Sequence, residues 1–333
     1  MKPDSQSDLL YPFTFEPIFK ERIWGGRSIE RLYRKPLPPK IQIGESWEIV
    51  DRPEAISIIN SGPLAGKSLR WLMEHHATEV LGKASSSGGR FPLLIKILDA
   101  EEKLSLQVHP PEEFAAGMGG EAKTEMWYVA EARPGAEFFV GLKRGTTRSQ
   151  FEAAIRNGSV ADCFHRLQVR SGDAMFLPSG RVHAIGGSVV IFEVQQNSDT
   201  TYRVFDWNRL DASGKPRELH LEQSLRSIDF NDFEPELVRV NSLVDRQYLV
   251  QSQIFNVELR ALVAPERIDL AEAFAILAIV SGEITIQDDS YSTRLNPGQF
   301  CLIPASLGDV ELAGLPGSKY LSITPGSNPS TFD

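Results

Sequence analysis

The stretch Phe91–Val129, FPLLIKILDAEEKLSLQVHPPEEFAAGMGGEAKTEMWYV, holds two strand-like runs separated by a loop. In the first run Leu104, Leu106 and Val108 alternate with Ser105, Gln107 and His109. A strand sends successive side chains to opposite faces, so the apolar set is expected in a core and the polar set on a second surface. In the second run Lys123, Glu125 and Trp127 share a parity, which places an amine beside a carboxylate. An imidazole, an amide oxygen and a carboxylate on adjacent strands form a set of hard or borderline metal ligands.

Working outward, GDAMFLPSGRVHAIGG supplies a second histidine. Gly172, a short run, then Pro178, Gly180 and His183 read as a strand, a tight turn and a histidine at the start of the next strand. This stretch is similar to the second of two sequence patterns of the cupin β-barrel, with Gly187 where many cupins have Asn. The resemblance implies that His183 faces inward toward ligands of the first pattern, here the widely spaced QVH and KTE set. Farther on, NPGQFCLIPAS sets Gly298 and Pro304 apart as Gly172 and Pro178 are, after a run FAILAIVSGEITI that parallels MWYVAEARPGAEFFVGL. The repeat predicts a duplicated barrel. Asp309 stands where His183 stands in the first copy, and no Gln-x-His or Lys-x-Glu precedes it.

The expected fold is therefore mainly β: two cupin-type jelly-roll barrels from an internal duplication, with a few short helices. A catalytic barrel with helical excursions is expected over 1–230 and a metal-free barrel over 236–333, with the boundary near Asp229 to Glu236. The periodicity of Leu69, Leu72, Met73, His76 and Val80, closed by Gly82, predicts one helix from Ser68 to Leu81 and puts His75 and His76 on its surface or packed face. Thr147 and Gln150 stand at capping-box spacing before a helix carrying Phe151, Ala154 and Ile155. The glycine pair of IWGG reads as a turn that positions Trp24, and His165, among Phe164 and Leu167, as a structural histidine.

At 333 residues the chain is long enough for two cores, since single cores stop growing at roughly 250–300 residues. Its 41% apolar and 24% charged residues are ordinary for a globular protein. A formal net charge of −9 argues against a nucleic-acid partner, while a few Lys or Arg residues in a cleft still suit a small anionic substrate. MKPDSQSDLLYPF has no basic region followed by an apolar run, so no signal peptide is expected. No apolar stretch reaches the roughly 20 residues of a membrane span. Cys163 and Cys301, far apart, read as free thiols in a reducing compartment, which predicts a cytoplasmic location.

His109, Glu125 and His183, with Gln107 as a weaker oxygen donor, make a His₂Glu set with room for water or substrate. Three protein ligands and an open position are the pattern of catalytic zinc, although Fe, Mn or Ni suit the same donors. The segments QVHP, KTEMWY, PSGRVHAIG, NSDTTYRVFDWNR and GKPRELH, joined by IWGG and GESWE, resemble type I phosphomannose isomerase in its short bacterial form. The resemblance is strong from about Pro12 to Leu225 and weaker through the second barrel.

It implies one Zn²⁺ per chain on His109, Glu125 and His183 with Gln107 as a fourth ligand, and a catalytic role for Arg203. It places Lys123, Glu45, Trp24 and Lys96 in the pocket, with Ser105 and Lys96 toward the phosphate. The implied reaction interconverts mannose 6-phosphate and fructose 6-phosphate through a cis-enediol, with Lys123 or Glu45 as the base. The implied partner is a phosphosugar, with no nucleic acid and no membrane, for a monomer or weak homodimer. A cupin that binds metal and sugar without turnover, or a dioxygenase on the same barrel, are the competing readings. The polar set Gln107, Lys123, Glu45 and Arg203 favours a sugar over the greasy pocket of a dioxygenase.

Overall fold

The computed structural model describes residues 10–210, 214–241, 243–288 and 291–326. They divide into two units, one formed by 17–55 with 92–241, the other by the described parts of 1–16, 56–91 and 242–333.

The first unit consists of two antiparallel sheets. A six-stranded sheet runs in the order Ile18–Gly26, Ile43–Ile49, Leu93–Ala100, Val189–Gln196, Glu125–Ala132 and Ala174–Leu177. A five-stranded sheet runs Tyr202–Phe205, Leu106–Val108, His183–Ile185, Glu137–Leu142 and Phe164–Gln168. Leu93–Ala100 is buried along its whole length, which is why LLIKILDA shows no alternation of apolar and polar positions. Side chains of both sheets meet in a core that includes Leu98, Trp127 and Ile191 from one and Phe138, Val140 and Ile185 from the other.

The outer face of the five-stranded sheet buries Leu106, Val108 and Phe139 beneath Phe151 of the helix Arg148–Asn157. That helix has the expected capping box: Gln150 N–H donates to Thr147 Oγ1 at 3.3 Å and Thr147 N–H donates to Gln150 Oε1 at 2.9 Å. Leu104 departs from the expected pattern, because it packs in the inter-sheet core and not with Leu106 and Val108. The strand begins only at Leu106, so its alternation does not reach back to Leu104.

The second unit repeats the plan with a five-stranded sheet, Arg246–Gln251, Phe255–Leu262, Ser318–Pro325, Ala275–Ser281 and Phe300–Ile303, and a four-stranded one, Glu266–Asp269, Asp309–Gly314, Ile284–Gln287 and Ser292–Leu295. Leu277, Ile279, Ile284, Leu312 and Tyr320 fill its core. Gly172 and Gly298 adopt matching left-handed turns, φ 94° and 75°, before the strands Ala174–Leu177 and Phe300–Ile303. Asp309 opens its strand as His183 does, but its Oδ1 accepts a hydrogen bond from Arg267 Nε at 2.7 Å. The molecule is mainly β, two jelly-roll sandwiches with a few short helices, as expected.

Residues 10–16 and 56–91 group with the C-terminal strands; Phe13 and Leu302, for instance, exchange backbone hydrogen bonds of 2.8 and 2.9 Å. Two further local features differ from the sequence reading. The helix over 68–81 is two, Leu69–His75 and Ala77–Leu81, broken where His76 turns to φ −137°. Its apolar spacing continues across the break, so the pattern does not reveal it. Gly25 lies within a strand and makes no turn: a Cβ there would fall 2.4 Å from Gly44 N, and glycine lets the neighbouring backbone approach.

Candidate metal centre and active site

Glu125 opens a strand of the six-stranded sheet, His183 opens one of the five-stranded sheet, and His109 follows the strand beside it. All three are at most 1% exposed. His109 Nδ1–H donates to the Thr200 carbonyl at 2.8 Å and His183 Nδ1–H to the Arg181 carbonyl at 2.9 Å. A carbonyl only accepts, so each ring carries its proton on Nδ1 and turns an Nε2 lone pair inward. Those Nε2 atoms lie 3.4 and 3.5 Å from Glu125 Oε2 and Oε1, and the three residues' ligand atoms all lie within 4.8 Å of one another.

His109 Nε2 and both Glu125 oxygens are buried and have no hydrogen-bond partner among the described residues. Each buried acceptor left unsatisfied costs about 1–3 kcal/mol, and one cation satisfies all of them together. The charge states agree. Burial, followed by the Lys123 charge, brings His109 down to about 3, and burial lowers His183 as well, so both rings are neutral. Burial raises the Glu125 carboxyl, but the ammonium of Lys123 beside it is the largest opposing influence, and the group is held well below its ordinary range. Two neutral imidazoles and a carboxylate are the forms that bind a divalent ion. Gln107 Nε2 stands 3.2 Å from His183 Nε2, so its amide borders the same centre.

A row of alternating charges crosses the inner face of the six-stranded sheet beside this centre. Lys123 Nζ stands 2.8 Å from Glu125 Oε2 as an ion pair, off the angle of a hydrogen bond. Trp127, Glu193, Lys96 and Trp47 lie opposite one another in register. Lys96 Nζ is 3.1 Å from Glu193 Oε2, and Glu193 Oε1 accepts from Trp127 Nε1 at 3.1 Å. Glu45 accepts from Arg22 Nε at 2.8 Å and from Trp47 Nε1 at 2.6 Å. Burial raises Glu45, yet Lys96, Arg22 and those two donors carry it down to about 2. Burial opposes the charge on Lys96, and Glu193 and Glu45 more than restore it. Burial raises the carboxyl of Glu193 against the pull of Lys96.

Arg203 stands opposite Gln107, which stands opposite His183, so the three share one face of the five-stranded sheet. Arg203 Nη1 donates to the Glu218 carbonyl at 2.8 Å, while its Nε is buried without a partner among the described residues. Ser105 is buried just before the strand Leu106–Val108, and Trp24 packs in the inter-sheet core at 4% exposure. The structure thus brings Gln107, His109, Glu125, His183 and Lys123 into one cluster and places Lys96 and Glu45 along the adjoining charge row.

Glu193 and Gln195 were not singled out in the sequence, because VVIFEVQQ reads as an apolar strand. The available signal was the carboxylate itself, since a Glu inside a buried strand requires a cationic partner.

Two family models match the chain. One, described as phosphomannose isomerase type I, catalytic domain, covers residues 13–156, and the other, described as mannose-6-phosphate isomerase, cupin domain, covers residues 245–318. Mannose-6-phosphate isomerase ManA of Bacillus subtilis (strain 168) is 36% identical over 308 residues, 91% of this chain and 96% of that protein. The crystal structure of the mannose 6-phosphate isomerase from Bacillus subtilis superposes with a TM-score of 0.85 at 30% identity, covering 94% of this chain and 99% of that one. A mannose 6-phosphate isomerase solved in a zinc-bound form shares the fold at 18% identity, with a TM-score of 0.75 over 95% of this chain and 100% of that one.

Proposed function

The chain belongs to the type I phosphomannose isomerase family, and on that premise we propose that it interconverts mannose 6-phosphate and fructose 6-phosphate, with zinc held by His109, Glu125 and His183 and bordered by Gln107. The observation that carries this reading is the buried trio of inward-facing acceptors, neutral, neutral and anionic. When bound, the metal supplies a Lewis acid that polarises sugar oxygens.

The chain's own residues account for the rest. The reaction takes a proton from C2 of the aldose and returns one to C1, with negative charge developing on the enediol oxygens between the two. Arg203, on the face it shares with Gln107 and His183, offers a permanent positive charge for that oxygen. Of the two bases, Glu45 has both oxygens engaged and a pKa near 2, a poor match to proton abstraction at neutral pH. The remaining candidate is Lys123, which stands against Glu125 as an ion pair and can take a proton only in its neutral amine form. Lys96 and Ser105 are the proposed phosphate contacts and Trp24 a pocket wall; a phosphate oxygen has to compete with Glu193 for Lys96.

No helix among the described residues is long and apolar enough to cross a membrane. Cys163 and Cys301 are free, and burial raises both thiols. We propose a cytoplasmic monomer or weak homodimer acting on a phosphosugar; the two free thiols suit a reducing compartment.

A coupled assay of metal-analysed protein with each sugar phosphate, before and after chelation, tests the proposal. Turnover lost on chelation and restored by zinc is expected. Bound metal without turnover of either sugar would favour a non-catalytic sugar-binding cupin, and turnover without metal would overturn the mechanism.

A further inference from the structure

We propose that Gln195 is a positioning residue for His109, acting through the loop that carries the carbonyl against which His109 is oriented. The proposal rests on the metal reading above. Gln195 is fully buried and lies opposite Glu125 in register. Its Nε2 donates to the Gln196 carbonyl at 3.0 Å and to the Ser198 carbonyl at 2.5 Å. Carbonyls only accept, so the amide must turn its nitrogen to the loop. That orientation leaves Oε1 buried with no donor among the described residues. An unpaired buried acceptor is unfavourable, and an apolar side chain fills such a site without it. What the amide adds here is its two N–H groups.

Those groups hold the start of a short, heavily tied loop. Arg52 Nη1 donates to the Asn197 carbonyl at 2.7 Å, Ser198 Oγ donates to the Glu121 carbonyl at 3.1 Å, and Thr200 N–H donates to Ser198 Oγ at 3.2 Å. Glu121 N–H donates to Thr200 Oγ1 at 3.0 Å. The loop ends at the Thr200 carbonyl, which accepts from His109 Nδ1. A partner of this kind sets the tautomer and the ring orientation of a ligating histidine, and its loss typically lowers metal affinity by about 10–100-fold. The hydrogen bonds of Gln195 go to the loop and not to His109, so its proposed effect on that ring passes through the loop to the Thr200 carbonyl.

The test compares wild type with Gln195→Met, which keeps length and removes both donors, and with Ser198→Ala, which removes a separate tie of the same loop. Co²⁺ affinity is measured by chelator competition, the Co²⁺ visible spectrum is recorded, and the metal-free proteins are unfolded in urea. For Gln195→Met we expect Co²⁺ affinity to fall by about 10–100-fold with an altered visible band. Ser198→Ala should shift both in the same direction by a smaller factor. A purely structural role would lower the urea midpoint and leave affinity and spectrum unchanged. Affinity within threefold of wild type and an unchanged band in Gln195→Met overturn the proposal. If Gln195→Met does not fold, the same result in Ser198→Ala overturns it. A wild-type protein that binds no Co²⁺ overturns the metal reading itself, a failure distinct from equal affinities in all three proteins.

Discussion

Lys96 and Glu193 face each other in register across two central strands and form an ion pair, Nζ to Oε2 3.1 Å, with both side chains 4% exposed. Removing one member of such a pair leaves a buried charge and costs about 3–5 kcal/mol. Lys96→Met should therefore lower stability by that order, and adding Glu193→Gln should recover part of the loss. Urea unfolding of the two single variants and the double variant measures the coupling. Additive losses would mean that the two groups do not interact.

Arg203 shares a sheet face with Gln107 and His183 of the proposed metal centre. Arg203→Ala should reduce turnover by about 100-fold, roughly 2.7 kcal/mol of barrier, with bound metal unchanged by elemental analysis. Turnover within about threefold, ~0.7 kcal/mol, would remove Arg203 from the mechanism.

His183 is one of three side chains that converge on the proposed metal position. His183→Ala should lose metal and activity together. Stoichiometric zinc in the purified variant would contradict the ligand assignment.

Glu45 has an ordinary pKa of 4.5 and a folded value of about 2. A folded pKa below the unfolded one gives stability that is present above about pH 4.5 and is lost as pH falls toward 2. The shift corresponds to about 3 kcal/mol. Glu45→Gln should thus differ from wild type by a constant amount above about pH 5 and converge on it in acid. Urea midpoints at pH 7, 5, 4 and 3, taken here as round values, read the difference, and an offset independent of pH would show that Glu45 titrates normally in the folded state.

Gly25 admits Gly44 N at 2.4 Å from where a Cβ would stand. Gly44 N is strand backbone and the Cβ would be fixed by the backbone of Gly25, so neither can rotate away, and Gly25→Ala should destabilise by about 1–3 kcal/mol. A thermal midpoint equal to wild type would show that the two strands separate freely.

Much of the candidate metal centre was readable from spacing alone. The alternation through Gln107 and His109, the parity of Lys123 with Glu125, and the turn that raises His183 are local consequences of strand geometry. The internal repeat carried the two-sandwich plan for the same reason: matching glycines make matching turns before matching strands. Leu104, Gly25 and the break at His76 were misread because each depends on where an element starts or what packs against it, and periodicity is silent on both.

The amino-acid order by itself determined the strand faces, the capping box at Thr147 and the side chains proposed as metal donors, since those follow from side-chain type and from the two-residue and 3.6-residue repeats of the backbone. Only the tertiary structure decided that Glu193 pairs with Lys96, that Glu45 is spent on Arg22 and Trp47, and that Thr200 orients His109. These partners are separated by 97, 23, 2 and 91 residues in the chain. Except for Trp47, each reaches its partner only when strands distant in sequence are brought side by side in a buried interior, where unpaired charges and polar atoms are costly.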